Sequence, residues 1–136
     1  MIPKLNSAVI FDKISFDNDN AKDSVALFDP IMHFLVIDFP IKLNFALYVS
    51  VGNLTEGHSY QVEISLINPS KDIILKKVSE TVCYKEHPKI EASAMLVLDM
   101  EIENITEEGV YTFDIIFDAV SIGEYNFSIY KRVENV

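Results

Sequence analysis

Large apolar side chains recur at every second position along several stretches of the chain. The clearest stretch runs from Leu43 to Val51, and a second one runs from Tyr111 to Phe117. A period of two is typical of a β-strand with one face in a hydrophobic core and the other in water. Further stretches of strand character lie at residues 8–16, 24–28, 60–66, 73–75, 81–84, 92–103 and 125–129. No segment of useful length shows the 3.6-residue period of an amphipathic helix.

Turn signals between these stretches predict hairpins. The segment Asn68-Pro69-Ser70-Lys71-Asp72, for example, separates two strand candidates. A lone hairpin is only marginally stable in water, so the apolar faces must cover one another. We therefore predict an all-β fold, an antiparallel two-sheet β-sandwich of about eight strands, immunoglobulin-like or C2-like, with a closed β-barrel as the alternative. The length of 136 residues and the scattered Gly and Pro predict a single domain over residues 1–136.

The apolar run from Ile31 to Ile37 does not alternate. It fits either a strand buried on both faces or a connection across the end of the sandwich, and periodicity does not decide between them. His33 within this run is expected to be a core histidine with a backbone partner.

The charge of the chain limits its partners. A formal net charge of −10 argues against binding to nucleic acid or to an anionic membrane surface. The segment 90–130 carries acidic residues and no Lys or Arg. If these acids share one face, a basic protein surface would suit it; the alternative is a solvated surface that keeps the protein soluble.

The cysteine content and the apolar runs suggest a compartment. Cys83 is the only cysteine, which excludes an intramolecular disulfide, and its β-prone surroundings predict a buried, inert thiol. The N-terminal residues lack the apolar core of a signal peptide, and the run from Ile31 to Ile37 is too short to cross a bilayer. The sequence therefore predicts a cytoplasmic protein.

Four short motifs resemble those of a family of small bacterial single-domain β-sandwich proteins, immunoglobulin-like or C2-like, that have no assigned function. The motifs are Phe11-Asp12-Lys13, Glu56-Gly57-His58, Asn68-Pro69 and Glu108-Gly109-Val110-Tyr111-Thr112-Phe113. The resemblance spans most of residues 8–129 and implies the fold without implying an activity. The chain departs from the pattern at Ser70-Lys71-Asp72, where a Gly is expected in the turn.

Residues suited to catalysis are not grouped in this sequence. His33, His58 and His87 lie far apart, and neither a nucleophile elbow nor a close pair of Cys or His ligands occurs. Asp114 and Asp118 are predicted on the solvent side of a strand, roughly 13 Å apart and too distant to act on one bond. We therefore expect no enzyme activity and no cofactor.

An acidic loop offers a candidate metal site. Asp17, Asp19 and Asp23 are candidate calcium ligands in the manner of C2-like sandwiches. The EF-hand pattern itself fails, because its fifth, sixth and twelfth positions are Ala21, Lys22 and Phe28.

The preferred function is that of a non-catalytic protein-interaction or scaffold module, with a calcium- or carbohydrate-binding sandwich as the alternative. Met95, Val97 and Tyr48 are apolar at positions that otherwise point outward. They indicate either a second buried face or a contact surface for a protein partner or for self-association.

Overall fold

The strands predicted from the alternation are present in the structure, except that the stretches 73–75 and 81–84 belong to one strand, which ends at Val82, and one short strand is additional. The computed structural model describes the backbone of residues 2–17, 24–85 and 87–133, and the side chains of residues 2–11, 31–85 and 87–133. These described residues form nine strands: β1 (Lys4–Asp17), β2 (Ser24–Ile31), β3 (His33–Val36), β4 (Ile41–Gly52), β5 (Ser59–Ile67), β6 (Ile73–Val82), β7 (Ala94–Ile105), β8 (Gly109–Phe117) and β9 (Val120–Lys131). No helix in this part of the chain is long and apolar enough to cross a membrane.

The strands form two sheets, which confirms the predicted two-sheet sandwich. One sheet has four strands in the order β2-β1-β4-β7, and the other has five in the order β3-β9-β8-β5-β6. Neighbouring strands pair antiparallel, except that β3 runs parallel to β9. The chain changes sheets at Met32, between β2 and β3.

The core lies between the two sheets and consists of the alternating apolar residues. Phe113 and Ile115 on β8 are fully buried, as are Leu47 and Val49 on β4. At its centre Phe127 contacts four other aromatic rings, those of Phe34, Phe45, Tyr111 and Phe113. Because both sheets contribute to this cluster, it fixes their mutual packing.

Each interpretation of the run from Ile31 to Ile37 is right only in part, because the run crosses between the sheets at Met32 and then forms a strand that is not buried on both faces; the core position of His33 is wrong. The run contains β3, a short strand at the edge of the five-stranded sheet, in which half-buried and exposed side chains alternate. Phe34 and Val36 pack against the core, while His33 is exposed. A strand of four residues shows too few alternations for the period to be read from the sequence.

Two tight turns depend on residues other than Gly in the left-handed region. In the β5–β6 turn, Asn68 accepts a backbone hydrogen bond from Lys71, and Lys71 has φ 72° at the position where a Gly is expected. In the β8–β9 turn, Asp118 and Ala119 have φ 48° and 65°, as a two-residue type I′ loop requires. This second turn positions Asp118 at one end of the sandwich.

The burial predicted for Cys83 is confirmed. Its side chain is part of the core cluster, and burial raises the pKa of its thiol. A thiol with a raised pKa is less often ionised and is therefore a weaker nucleophile.

Candidate functional site

The three residues predicted to contact a partner lie together on the outer face of the four-stranded sheet. Tyr48 on β4 is directly opposite Val97 on β7, and Met95 follows on the same face, opposite Ser50. Tyr48 and Val97 are half-buried and Met95 is exposed. Cross-strand neighbours of this kind are in contact distance. We call Tyr48, Met95 and Val97 the outer-face patch.

The apolar character of this face increases away from the β7 edge. On β1, Val9 lies opposite Tyr48 and is half-buried, and Phe11 lies opposite Ala46, where both side chains are buried. The face is therefore buried near β1, whereas on β7 Met95 is exposed and Val97 is half-buried.

Acidic side chains border the outer-face patch along β7. Asp99, Glu101 and Glu103 alternate with the buried residues of that strand, so they share the outer face with Val97. Lys42 on β4 forms ion pairs with Glu101 and Glu103, and its ammonium group lowers the pKa of Glu101. Lys77 on β6 also reaches this rim, where its ammonium group donates to the backbone oxygen of Asp99, so two Lys face three carboxylates and the rim stays negatively charged.

The acids of the segment 90–130 do not share a single face. Asp99 and Glu101 belong to the four-stranded sheet, whereas Asp114 and Glu124 pair across β8 and β9 on the outside of the five-stranded sheet. The single acidic sheet considered for this segment is therefore wrong, because β7 and β8 follow one another in sequence but lie in different sheets.

A pocket of about 350 Å³ opens at the end of the sandwich, between the N-terminal segment and the β8–β9 turn. Its walls are mostly apolar, with one imidazole and one carboxylate among them. The lining residues are Ile2, Pro3, Thr55, His58, Tyr60, Phe117, Asp118 and Val120. The volume is at the lower end of the range for small-molecule sites.

An imidazole–carboxylate pair, which the sequence analysis missed, lies at the rim of this pocket. Nε2 of His58 is 2.8 Å from Oδ2 of Asp118, and the backbone N–H of Gln61 donates to Oδ1 of the same carboxylate at 2.8 Å. These two hydrogen bonds lower the pKa of Asp118, and the one from the Gln61 backbone has the larger effect. The His58 ring packs edge-on against Tyr60, whose hydroxyl accepts a hydrogen bond from the backbone N–H of Thr55.

The pair ties two loops together. Both oxygens of Asp118 already accept hydrogen bonds, so the carboxylate holds the loop before β5 against the β8–β9 turn. The two residues are 60 positions apart. The sequence indicates a turn near Asp118, but no local feature of the sequence indicates which loop this turn contacts.

The candidate calcium ligands fall largely beyond what the structure describes. The backbone of Asp17 ends β1 opposite Ser24, but the Asp17 side chain, Asp19 and Asp23 lie outside the described residues. Among the residues that are described, no group of three or more His, Cys, Asp or Glu side chains is arranged to hold a metal ion.

Comparison with known proteins adds no family assignment. No protein-family model matches the chain, and a search of curated proteins finds no significant match. Function therefore has to be inferred from the outer-face patch, the pocket and the free edges of the sheets.

Proposed function

We propose that the protein is a non-catalytic interaction module that binds another protein through the outer face of its four-stranded sheet. The observation that carries this proposal is the placing of Tyr48, Val97 and Met95 side by side on a face that is otherwise bordered by charge. Apolar side chains that cluster at a solvated surface are typical of contact sites, whereas isolated ones are not.

The rim of the patch indicates the chemistry of the partner. Asp99, Glu101 and Glu103 leave the β7 side negative even with Lys42 paired to two of them. A partner with an apolar centre and Lys or Arg around it would complement this surface. The net charge of −10 supports a basic protein over a nucleic acid or an anionic membrane.

The geometry of the pocket supports a non-catalytic role. A catalytic imidazole–carboxylate pair needs a nucleophile or a substrate proton within reach of the second imidazole nitrogen, and within the described residues no side-chain hydroxyl or thiol is hydrogen-bonded to His58. The Asp118 carboxylate instead accepts hydrogen bonds from Gln61 and His58 on its two oxygens. We interpret the pair as a structural contact that holds the two loops together.

The finer fold assignment that we propose is immunoglobulin-like. In that fold strands A, B and E are adjacent in one sheet and C, F and G in the other, and the orders β1-β4-β7 and β5-β8-β9 correspond to them. Tyr111, near the start of β8, donates its hydroxyl hydrogen to the backbone oxygen of Glu107 at 2.6 Å, as in a tyrosine corner. Phe45 and Phe113, on the strands that correspond to B and F, stack edge to face at 6.1 Å. These features support the immunoglobulin-like assignment.

We also propose a cytoplasmic location. A single buried cysteine without a disulfide partner in the chain supports a reducing compartment.

Affinity capture with matched variants tests the proposed contact face. Immobilised wild-type protein is incubated with lysate of the source cells beside two variants, Val97→Lys on the outer-face patch and Ile116→Lys on the outside of the five-stranded sheet. Both positions are half-buried strand residues, so the two substitutions are structurally comparable. Circular dichroism checks that each variant is folded.

The proposal predicts a protein that the wild type and Ile116→Lys retain and that Val97→Lys loses. Retention should weaken as salt is raised, because the acidic rim is exposed. Equal retention by all three, equal loss from both variants or the absence of any retained protein would contradict the proposed face.

The alternative function, a calcium- or carbohydrate-binding sandwich, rests on Asp17, Asp19 and Asp23. Calcium that binds the folded state raises the melting temperature by mass action. A calcium-dependent rise that is abolished by Asp17→Ala would favour this alternative, and a melting curve unaffected by calcium would remove its calcium-binding form.

A further inference from the structure

Strand β6 is a long edge strand that carries exposed apolar side chains. One side of it pairs with β5, and within the described residues no strand pairs with its other side. Val78 is 65% exposed, and Ile74 and Val82 are also exposed. An unpaired edge of this length is a template for pairing with another strand.

The outward-facing residues of β6 follow a symmetric order. Tyr60, Val62, Ile64 and Leu66 of β5 are buried, so their β6 partners face inward, and the intervening β6 residues face outward. In chain order the outward residues are Ile74, Lys76, Val78, Glu80 and Val82. The series is apolar, basic, apolar, acidic, apolar. When a second copy of the strand runs antiparallel, the basic position lies opposite the acidic one and the apolar positions lie opposite one another.

We propose that β6 pairs antiparallel with β6 of a second copy of this chain, with Val78 on the two-fold axis. In this register Lys76 lies opposite Glu80 of the second copy, and Ile74 lies opposite Val82 of the second copy. Opposite charges and apolar pairs that face one another directly stabilise antiparallel strands. The contact is isologous, and it joins the two five-stranded sheets into one continuous sheet.

Other registers lose this complementarity. If the second strand slips by two residues in one direction, Lys77 lies opposite Lys77 of the second copy. If it slips by two residues in the other direction, Lys76 and Glu80 each lie opposite a valine. A parallel in-register arrangement places each Lys opposite the same Lys. Side-chain complementarity therefore selects one pairing among those available to the strand.

The charged side chains near the edge are placed in agreement with this pairing. Lys76 lies 3.5 Å from Glu63, and Glu80 accepts a hydrogen bond from Ser59, so both charges are on the outer face beside β5. Lys77 faces inward, and its ammonium group donates to the backbone oxygen of Asp99 on β7. This remaining charge on β6 is thus directed towards the other sheet.

The proposed dimer is independent of the outer-face patch. That patch lies on the four-stranded sheet, whereas β6 borders the five-stranded one. A dimer would present two outer-face patches, and a partner with two matching sites would gain avidity.

A charge-reversal series tests the register. Sedimentation velocity up to roughly millimolar protein gives the dimer dissociation constant, measured for the wild type, Lys76→Glu and the double variant Lys76→Glu/Glu80→Lys. Lys76→Glu replaces two attractive pairs per dimer with two repulsive ones, so we expect the dimer dissociation constant to rise at least about tenfold. The double variant restores both pairs and should return to near the wild-type value. A monomeric wild type would overturn the proposal, and so would a folded double variant that dimerises as weakly as Lys76→Glu.

Disulfide trapping provides a second measurement. Residues opposite one another in an antiparallel pair have Cα atoms about 4.5–5.5 Å apart, which a disulfide can span. In a Cys83→Ser background, Val78→Cys should form a covalent dimer on mild oxidation, much faster than Val110→Cys, an exposed position on the face of the same sheet. Equal rates at the two positions would contradict the edge pairing.

Discussion

Truncation of Phe127 tests whether the aromatic cluster holds the two sheets together. The ring is 1% exposed, and its centroid lies 5.5–5.8 Å from those of Phe34, Phe45, Tyr111 and Phe113. Phe→Ala in a core costs about 3–5 kcal/mol, and each aromatic pair adds about 0.5–1.5 kcal/mol beyond burial. The Phe→Ala cost is a total that already includes such ring pairs, so the four pairs lost here place Phe127→Ala at its upper end, and we expect the free energy of unfolding to fall by about 4–5 kcal/mol.

That loss is a large share of the stability of a domain of this size, about 5–15 kcal/mol. Urea unfolding followed by circular dichroism measures it, and the midpoint should fall while the denaturant slope stays unchanged. Thermal melting should fall by about 10–20 °C.

A matched control lies on the same strand. Tyr130 of β9 is 44% exposed, so Tyr130→Ala removes a ring of similar size and should cost less than about 1 kcal/mol. If Phe127→Ala does not fold, Phe127→Leu should still fold and cost less than Phe127→Ala, about 2–3 kcal/mol, because it refills most of the volume but loses the ring pairs. A cost for Phe127→Ala no greater than that for Tyr130→Ala would refute the packing described here.

Three further substitutions test individual contacts. Tyr111→Phe removes the hydrogen bond to the backbone oxygen of Glu107 and should lower the unfolding free energy by about 0.5–1.5 kcal/mol in urea titrations, without change to the fold. Lys71→Gly relieves the left-handed backbone of the β5–β6 turn and should raise stability by up to about 1 kcal/mol, whereas Lys71→Ala, which keeps a Cβ, should not. Folding lowers the pKa of Asp118, so its contribution is present above the unfolded carboxyl pKa and is lost as pH falls through the folded pKa. The stability difference between wild type and Asp118→Asn should therefore decrease as pH falls below the unfolded carboxyl pKa of about 3.9, and a difference that grows on acidification in this range would contradict the assignment.

The strands and their buried faces could be predicted from the sequence because they depend on local alternation of apolar and polar residues. Leu47, Ile64 and Phe113 were identified as core residues from a period of two, and all three are buried. The pattern does not encode which strands pair. The parallel pairing of β3 with β9 joins segments about 95 residues apart, and the short β3 has too little alternation to be recognised.

The site was predicted only where it depends on the face of a strand. Tyr48, Met95 and Val97 were identified because apolar residues stood at outward positions, and the register of β4 on β7 then brought them together. The pair of His58 and Asp118 was missed because it forms between two loops, and loop-to-loop contacts leave no periodic signal. The turn at Ser70-Lys71-Asp72 is another case: the family pattern has a Gly in this turn, and the sequence did not indicate that Lys71 takes the left-handed conformation.

Photo-cross-linking from the outer-face patch tests the central claim most directly. Benzoylphenylalanine is placed at Met95, or, as a control, at Glu124, an exposed position on the outside of the five-stranded sheet. The protein is expressed in the source cells and irradiated. We predict a discrete cross-linked adduct with a second, basic protein from position 95 and none from position 124. Adducts from position 124 alone, or no adduct from position 95, would contradict the assignment of this face as the binding surface.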